Sequence, residues 1–568
     1  MSINSKPKDH SKKPRILIVG GVAGGASCAA RARRLSENAE IIMFERGPYV
    51  SFANCGLPYF VGDVITSEKS LLVATPELFK NRFDIEVRTQ SEVLAIDREK
   101  REIQVQYLLT GETYAEKYDA FVLAPGSSPI RPPLKGMDLP GIFTLRTIPD
   151  SHLVKKWISF NNVKRAVIVG GGFIGLETAE NLAKQGISVT IIEMLPQVMP
   201  PLDPEIAAPI QEHLISNGIA LHLGDGVAGF DRGSGENIIS TTTRSGIKYE
   251  SEMVLLAVGV RPEISLAKQA DLEIGGLGGI RVTDQMRTSD ANIWAIGDAI
   301  EVRDFITGEW ALVPLAGPAN RQGRIAADVI IGRDSHFRGV QGTMVCKVFN
   351  ITVAATGVSE KTLLRHRLNG KNIQYEKVYL HPSHHANYYP GAKPISMKLI
   401  YSPEDGRILG TQAVGEEGVE KRIDVIAMAI QRNSTVFDLE EAELCYAPQF
   451  GTAKDPVNLA GMVASNDLRG DSPAANWANA GETQGPIIDV REPFEFDAGH
   501  IEGAINIPLP ILRDKMNELP KDKKILVYCG VGQRSYYAAR ILRLNGFSAR
   551  SISGGMMTFK AQNDGKPH

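Results

Sequence analysis

Arg15-Ile16-Leu17-Ile18-Val19-Gly20-Gly21-Val22-Ala23-Gly24-Gly25 decides the fold of the N-terminal region. The unbroken aliphatic run reads as a parallel strand buried on both faces. Glycines then make a turn, and the small-residue pattern Ala26 to Leu35 reads as a helix. Strand, glycine turn and helix in this order build a dinucleotide cradle. Glycines let the backbone approach a pyrophosphate, the helix N-terminus offers N–H groups, and an acid closing the next strand binds ribose hydroxyls. Glu45, after Ile41-Ile42-Met43-Phe44, fills the last role, although Val22 stands where the second glycine is usual.

A cleaner copy follows at Ala166-Val167-Ile168-Val169, Gly170-Gly171-Gly172-Phe173-Ile174-Gly175, a helix through Lys184 and a strand ending Ile191-Ile192-Glu193. Glu193 favours NADH over NADPH, because a carboxylate pairs with a free ribose 2'-OH and repels a 2'-phosphate. Met194 to Leu202 contains no Arg or Lys to accept such a phosphate. Two cradles with correctly spaced acids predict two bound nucleotides, FAD and NAD(P)H.

At 568 residues the chain is too long for a single core. Its 43% hydrophobic and 23% charged residues are those of a soluble globular protein. A net charge of -2 leaves no electrostatic footprint for nucleic acid. Cys28, Cys55, Cys346, Cys445 and Cys529 are odd in number and scattered, which supports neither a disulfide framework nor a metal site and fits a reducing cytoplasm. Lys6, Lys8, Lys12, Lys13 and Arg15 before the apolar run Ile16 to Ala30 imitate a signal peptide, but cleavage there would destroy the first glycine loop. No apolar span has the length of a membrane helix, so no membrane insertion is expected.

Thr288-Ser289-Asp290-Ala291-Asn292-Ile293-Trp294-Ala295-Ile296-Gly297-Asp298 resembles the second FAD motif of the pyridine nucleotide-disulfide oxidoreductases. Val122-Leu123-Ala124-Pro125-Gly126 and Leu256-Ala257-Val258-Gly259-Val260-Arg261-Pro262 resemble that family's crossovers between FAD and NAD domains. The resemblance implies flavin contacts at Gly20, Gly21, Val22, Ala23, Gly24, Glu45, Arg46, Ala124, Gly126, Asp298 and Ala316. It implies nicotinamide-nucleotide contacts at Gly170, Gly172, Phe173, Ile174, Gly175, Glu193 and Gly259.

Within the family, Ser51-Phe52-Ala53-Asn54-Cys55-Gly56-Leu57-Pro58-Tyr59 is similar to the single-cysteine segment of coenzyme A-disulfide reductases. Tyr388 in His384-His385-Ala386-Asn387-Tyr388-Tyr389, Tyr446 in Cys445-Tyr446-Ala447-Pro448 and Lys454 in Ala453-Lys454-Asp455-Pro456 continue the match. The resemblance implies that Cys55 faces the flavin, that the partner subunit's tyrosines, Tyr388 and Tyr446 by position, stabilise a departing CoA thiolate, and that Arg34 and Lys454 hold CoA phosphates. Ser27, Arg31, Ser51 and Asn54 take other substrate positions, with Arg31 and Arg34 one turn apart on one helix face. NADH oxidases and peroxidases also use one cysteine, but carry a histidine where this chain has Ala23. Cys28, Cys346 and Cys445 read as packing residues, and His384 and His385 as loop or interface residues.

Near the C-terminus, Ile487-Ile488-Asp489-Val490-Arg491-Glu492, Gly499 to Pro508 and Cys529-Gly530-Val531-Gly532-Gln533-Arg534-Ser535 look like a rhodanese domain. That resemblance implies a persulfide on Cys529, helped by Arg534, in a loop one residue shorter than in the related phosphatases. A nest of backbone N–H groups favours an anionic sulfur.

The expected fold class is α/β: two Rossmann-like domains, a mixed α+β dimerisation domain and a C-terminal α/β rhodanese domain. The limits are 1–150 plus 265–335 (FAD), 151–264 (NAD(P)H), 336–464 (dimerisation), 465–484 (a polar linker) and 485–568 (rhodanese). The expected function is reduction of a CoA disulfide, CoA persulfide or polysulfide by a homodimer. The alternatives are an NADH oxidase or peroxidase with an accessory rhodanese domain, and a redox-sensing sulfur carrier.

Overall fold

The computed structural model describes residues 13–235, 237–482 and 485–564. Lys6, Lys8 and Lys12 and the end of the expected linker, Thr483 and Gln484, lie outside the described residues. The chain divides into two units, residues 1–191 with 227–340 and residues 192–226 with 341–568.

In the first unit, Arg15–Val19 lies at the centre of a five-stranded parallel sheet. The order is Ile293–Ala295, Ala120–Leu123, Arg15–Val19, Glu40–Phe44, Glu86–Arg88. A strand from near residue 295 thus completes a sheet begun at residue 15. Its central strands are buried because both faces are covered, which is why they read as continuous apolar runs. Helices Ala23–Leu35 and Ala316–Ile330 approach backbone to backbone, since a Cβ on Gly323 would lie 2.3 Å from the Gly24 carbonyl oxygen.

Ser188–Glu193, Arg165–Val169, Met253–Leu256 and Ile142–Phe143 are consecutive in a second sheet. The crossover segments Ser127–Pro129 and Val260–Pro262 pair antiparallel, and Gly259 takes φ +107° to enter that pairing.

The second unit holds a five-stranded antiparallel sheet ordered Met344–Val348, Ile351–Gly357, Ile408–Gly415, Ile395–Tyr401, Glu376–Leu380. Lys398, fully buried, meets Asp203 at 2.8 Å, Glu205 at 2.6 Å and Glu360 at 2.7 Å. These carboxylates converge closely enough to hold a cation, and the Lys398 ammonium contacts all three.

A parallel five-stranded sheet follows, ordered Ala474–Ala475, Ala549–Ile552, Ile525–Tyr528, Ile487–Asp489, Ile505–Asn506. The stretch expected to be a linker is therefore largely structured. Ser465 is buried within helix Pro456–Leu468, and Ala474–Ala475 forms the sheet's edge strand. Two small polar residues there serve packing rather than flexibility, since Ser465 and Ser472 are both buried.

Candidate active site

The two glycine loops share one construction. Gly20 takes φ +90° and a Cβ there would lie 2.0 Å from the Ala124 carbonyl oxygen. At Gly170, φ is +108° and the clash would be with the Ala257 carbonyl oxygen at 2.4 Å. One turn later, Gly25 and Gly175 sit against the Gly20 and Gly170 carbonyl oxygens, where a Cβ would lie at 1.9 Å and 2.1 Å. Helices Ala23–Leu35 and Phe173–Lys184 begin without a side-chain cap, leaving their first N–H groups to face an anion.

Each loop has its acid. The Glu45 carboxylate accepts from the Gly21 N–H at 3.0 Å and the Gly47 N–H at 2.9 Å, while burial pushes it up against those two bonds. Glu193, buried at its strand end, accepts from the Leu195 N–H at 2.8 Å. Arg46 is exposed and pairs with Glu92 at 3.4 Å.

Asp298 occupies the short turn Gly297–Ala299. The Ser127 hydroxyl donates to it at 3.0 Å, next to Gly126 at φ +74°, and Arg146 stands 3.9 Å away. Gln322, on the helix that starts at Ala316, accepts from the Gly297 N–H at 2.9 Å. Sheet ends from distant parts of the sequence thereby converge on one carboxylate. The residues present fit a flavin dinucleotide at the first loop and a nicotinamide dinucleotide at the second.

Cys55 lies on the turn Asn54–Gly56, directly before helix Leu57–Val61. Ser51, at φ 48°, anchors this segment by donating its N–H to the Gly21 carbonyl at 2.7 Å. The thiol is exposed, and its hydrogen-bond partner is the Asn54 side chain at 3.7 Å. Although the residue reaches the surface, the protein around its sulfur desolvates it, and this partial burial and then the Glu177 carboxylate push the thiol up, with Arg146 opposing. Glu177, on the second nucleotide helix, accepts from the Tyr59 hydroxyl at 3.2 Å; burial pushes its carboxyl up to about 7.

On the first helix, Ser27 bonds Asn320 and Arg31 pairs with Asp328 at 2.7 Å, whereas Arg34 is exposed. The expected basic face is therefore divided: Arg31 ties the helix to its neighbour. Cys28 is buried and its thiol is pushed up to about 12 by burial. Cys346 is buried, but Cys445 is exposed on a loop and is not the packing residue expected.

In the second unit the Ala386 N–H donates to the Gly451 carbonyl at 3.0 Å, tying together the loops that carry Tyr388 and Tyr446. Their hydroxyls meet at 2.6 Å with both rings exposed. Arg422 fixes the arrangement through Asp455 at 2.8 Å and the His384 carbonyl at 2.7 Å. Lys454 lines a cavity of about 380 Å³ shared with Gly532 and Gln533 of the Cys529 loop.

Cys529 is buried at the end of Ile525–Tyr528, where Gly532, at φ +101°, donates its N–H to the sulfur at 3.2 Å. Arg534 makes a two-pronged contact with Glu495 at 2.6 and 2.7 Å. Asn320, Arg146, Glu177 and Glu495 escaped the sequence reading, and Tyr59 entered it only as the end of the cysteine motif. No local pattern marked these four, and Glu495 meets Arg534 across 39 residues of sequence.

Residues 14–323 match the model of the pyridine nucleotide-disulphide oxidoreductases, residues 343–455 match that family's dimerisation domain, and residues 472–562 match the rhodanese-like domain. The chain belongs to the pyridine nucleotide-disulphide oxidoreductase family. It is an enzyme of that family with a rhodanese domain at its C-terminal side. Over 452 residues it is 36% identical to a coenzyme A disulfide reductase of Staphylococcus aureus, covering 79% of this chain and all of that one. The reduced CoADR-RHD of Bacillus anthracis superposes with TM-score 0.94 at 47% identity, covering 97% of this chain and 99% of that one. A NAD-dependent persulfide reductase from A. fulgidus gives 0.87 at 34% identity, covering 96% and 100%. Among the described residues no helix is long and apolar enough to cross a membrane.

Proposed function

We propose that this oxidoreductase is a homodimer that uses NADH to reduce CoA disulfide, CoA persulfide or polysulfide, with Cys55 as the reacting thiol and Cys529 as a carrier of sulfane sulfur. The observation that carries the reading is the exposed Cys55 turn on a nucleotide-binding frame, free of disulfide partnership. The likeness to the Staphylococcus aureus coenzyme A disulfide reductase and the A. fulgidus persulfide reductase supports it.

FAD, when bound, supplies a two-electron relay between nicotinamide and sulfur. Gly20 to Gly24, Glu45, Gly126 and Asp298 would hold it, and Gly170 to Gly175 with Glu193 would hold NADH. As thiolate, Cys55 attacks one sulfur of CoA disulfide, whose S–S bond breaks so that a CoA thiolate leaves as the mixed disulfide forms; attack on the outer sulfur of CoA persulfide or of a polysulfide instead leaves a persulfide on Cys55 and releases the CoA or shortened polysulfide thiolate. The partner subunit's phenols, Tyr388 and Tyr446 by position, would donate to that leaving sulfur, Ser27, Arg34, Ser51, Asn54 and Lys454 would position the substrate, and Arg31, paired with Asp328, would act from the same helix. Domain limits of 1–150 plus 265–335, 151–264, 336–464 and 485–568 accompany this reading, and the cytoplasm suits its reduced thiols. Ala23, opening the first helix, offers no imidazole beside the loop and so disfavours peroxide chemistry.

Anaerobic oxidation of NADH and NADPH, compared across CoA disulfide, CoA persulfide, polysulfide and peroxide, tests the reading. NADH with a CoA-linked sulfur substrate should give the highest kcat/KM. Peroxide as the best oxidant would overturn it.

A further inference from the structure

We propose that Glu495 is a specificity-determining residue of the Cys529 site, selecting organic persulfides as sulfur donors over the dianion thiosulfate. The inference rests on the reading of Cys529 as a sulfur carrier. The sulfur is held chiefly by neutral groups. The Gly532 N–H donates to it at 3.2 Å, and the Ser535 hydroxyl, 3.7 Å away, turns its own proton to the Gly532 carbonyl at 2.9 Å.

The loop's cation is Arg534, and both of its terminal nitrogens engage the two oxygens of Glu495. Glu495 is itself fixed, since it accepts the Glu492 N–H at 3.1 Å. Glu495 contacts Arg534 directly, and the Cys529 sulfur and the Glu492 carboxylate lie near enough to add to the field on its guanidinium. Arg491 also faces Glu495, but its charge is closed by Asp489 at 2.5 Å. A dianion arriving at Cys529 finds the arginine already matched and the net local charge negative.

An organic donor has a different approach. The cavity of about 380 Å³ beside Val531 and Gly532 is walled by Leu459, Met462, Tyr536 and Tyr537 together with Lys454, which suits an organic arm whose negative groups meet that lysine, away from Arg534. In the transfer, the Cys529 thiolate attacks the outer sulfur of R–S–SH. A bond forms between Sγ and that sulfur, the donor S–S bond breaks, and its electron pair leaves with R–S⁻, which takes a proton from water.

Glu495→Gln keeps the shape and removes the charge that occupies Arg534, and Glu495→Asp keeps the charge. Sulfur transfer to cyanide is measured in the full-length protein with thiosulfate and with glutathione persulfide. Glu495→Gln should raise the ratio of thiosulfate to persulfide kcat/KM at least roughly tenfold, mainly through a lower KM for thiosulfate, and Glu495→Asp should leave the ratio near wild type. An unchanged ratio in a Glu495→Gln protein that still accepts sulfur overturns the proposal. Mass spectrometry of Cys529 separates the two readings: wild-type protein that gains no sulfur atom from persulfide overturns the carrier reading, and this inference with it.

Discussion

Cys55 and Cys529 each stand just before a helix, yet their surroundings have opposite chemistry. Cys55 is exposed on a turn before the five-residue helix Leu57–Val61, and side chains set its reactivity: Asn54 accepts from it, Glu177 opposes ionisation and Arg146 favours it. Cys529 is buried before the twelve-residue helix Gln533–Leu544, and a backbone N–H holds its sulfur. A thiol tuned by side chains can respond to a bound cofactor or to pH, whereas a backbone nest offers a fixed anion site. The difference fits a redox thiol on one side and a carrier on the other.

The harshest way to break this comparison is to remove each sulfur. Cys55→Ser should keep the fold and the yellow flavin, because serine is nearly isosteric, yet lose at least about 10³-fold in anaerobic NADH oxidation by CoA disulfide. Wild-type turnover would remove Cys55 from the mechanism. Cys529→Ser should abolish sulfur transfer from glutathione persulfide to cyanide while CoA disulfide reduction stays within about twofold of wild type. A folded, flavin-replete variant that lost disulfide reduction would contradict the division of labour.

A smaller effect tests the tyrosine pair. Tyr388→Phe or Tyr446→Phe should each lower kcat for CoA disulfide by about 10²-fold, and the double variant little further, because the two hydroxyls act as one hydrogen-bonded group. The bond to Tyr446 pushes the Tyr388 phenol up. Losing Tyr446 therefore moves any alkaline limb due to Tyr388 to lower pH, and additive single losses would show that the pair does not act as a unit.

Much of this was legible because backbone geometry dictated residue type. Gly20 and Gly170 hold positive φ against a carbonyl oxygen, a position that only glycine fills without strain, so both nucleotide loops are written in the sequence. Ser27 and Asn320 lie on two helices that meet, but 293 residues separate them, so no local pattern announces their contact. Arg146 and Glu177 were silent for the same reason, and Tyr59 was visible in its motif without its partner Glu177. Composition misled at Ser465: a small polar residue suits a linker and a tight helix contact equally well, and tertiary packing decided between them.

The gentlest and sharpest test concerns how side chains set Cys55. Burial leaves the Glu177 carboxyl titrating at about 7, so the charge that opposes Cys55 ionisation is largely absent at pH 6 and present at pH 8. Glu177→Gln keeps a hydrogen-bond acceptor for Tyr59 and removes that charge at every pH. Arg146, which favours the thiolate, and Asp298, which opposes it, remain. The Cys55 thiol should then ionise at lower pH, raising its iodoacetamide alkylation rate about two- to fivefold at pH 8 and scarcely at pH 6. The rate is followed by mass spectrometry on the flavin-bound protein from pH 6 to pH 9. A uniform change across that range would mark a structural effect. An unchanged profile would mean that Cys55 is not set by the carboxylate beside it, and the contrast with the backbone-held Cys529 would lose its basis.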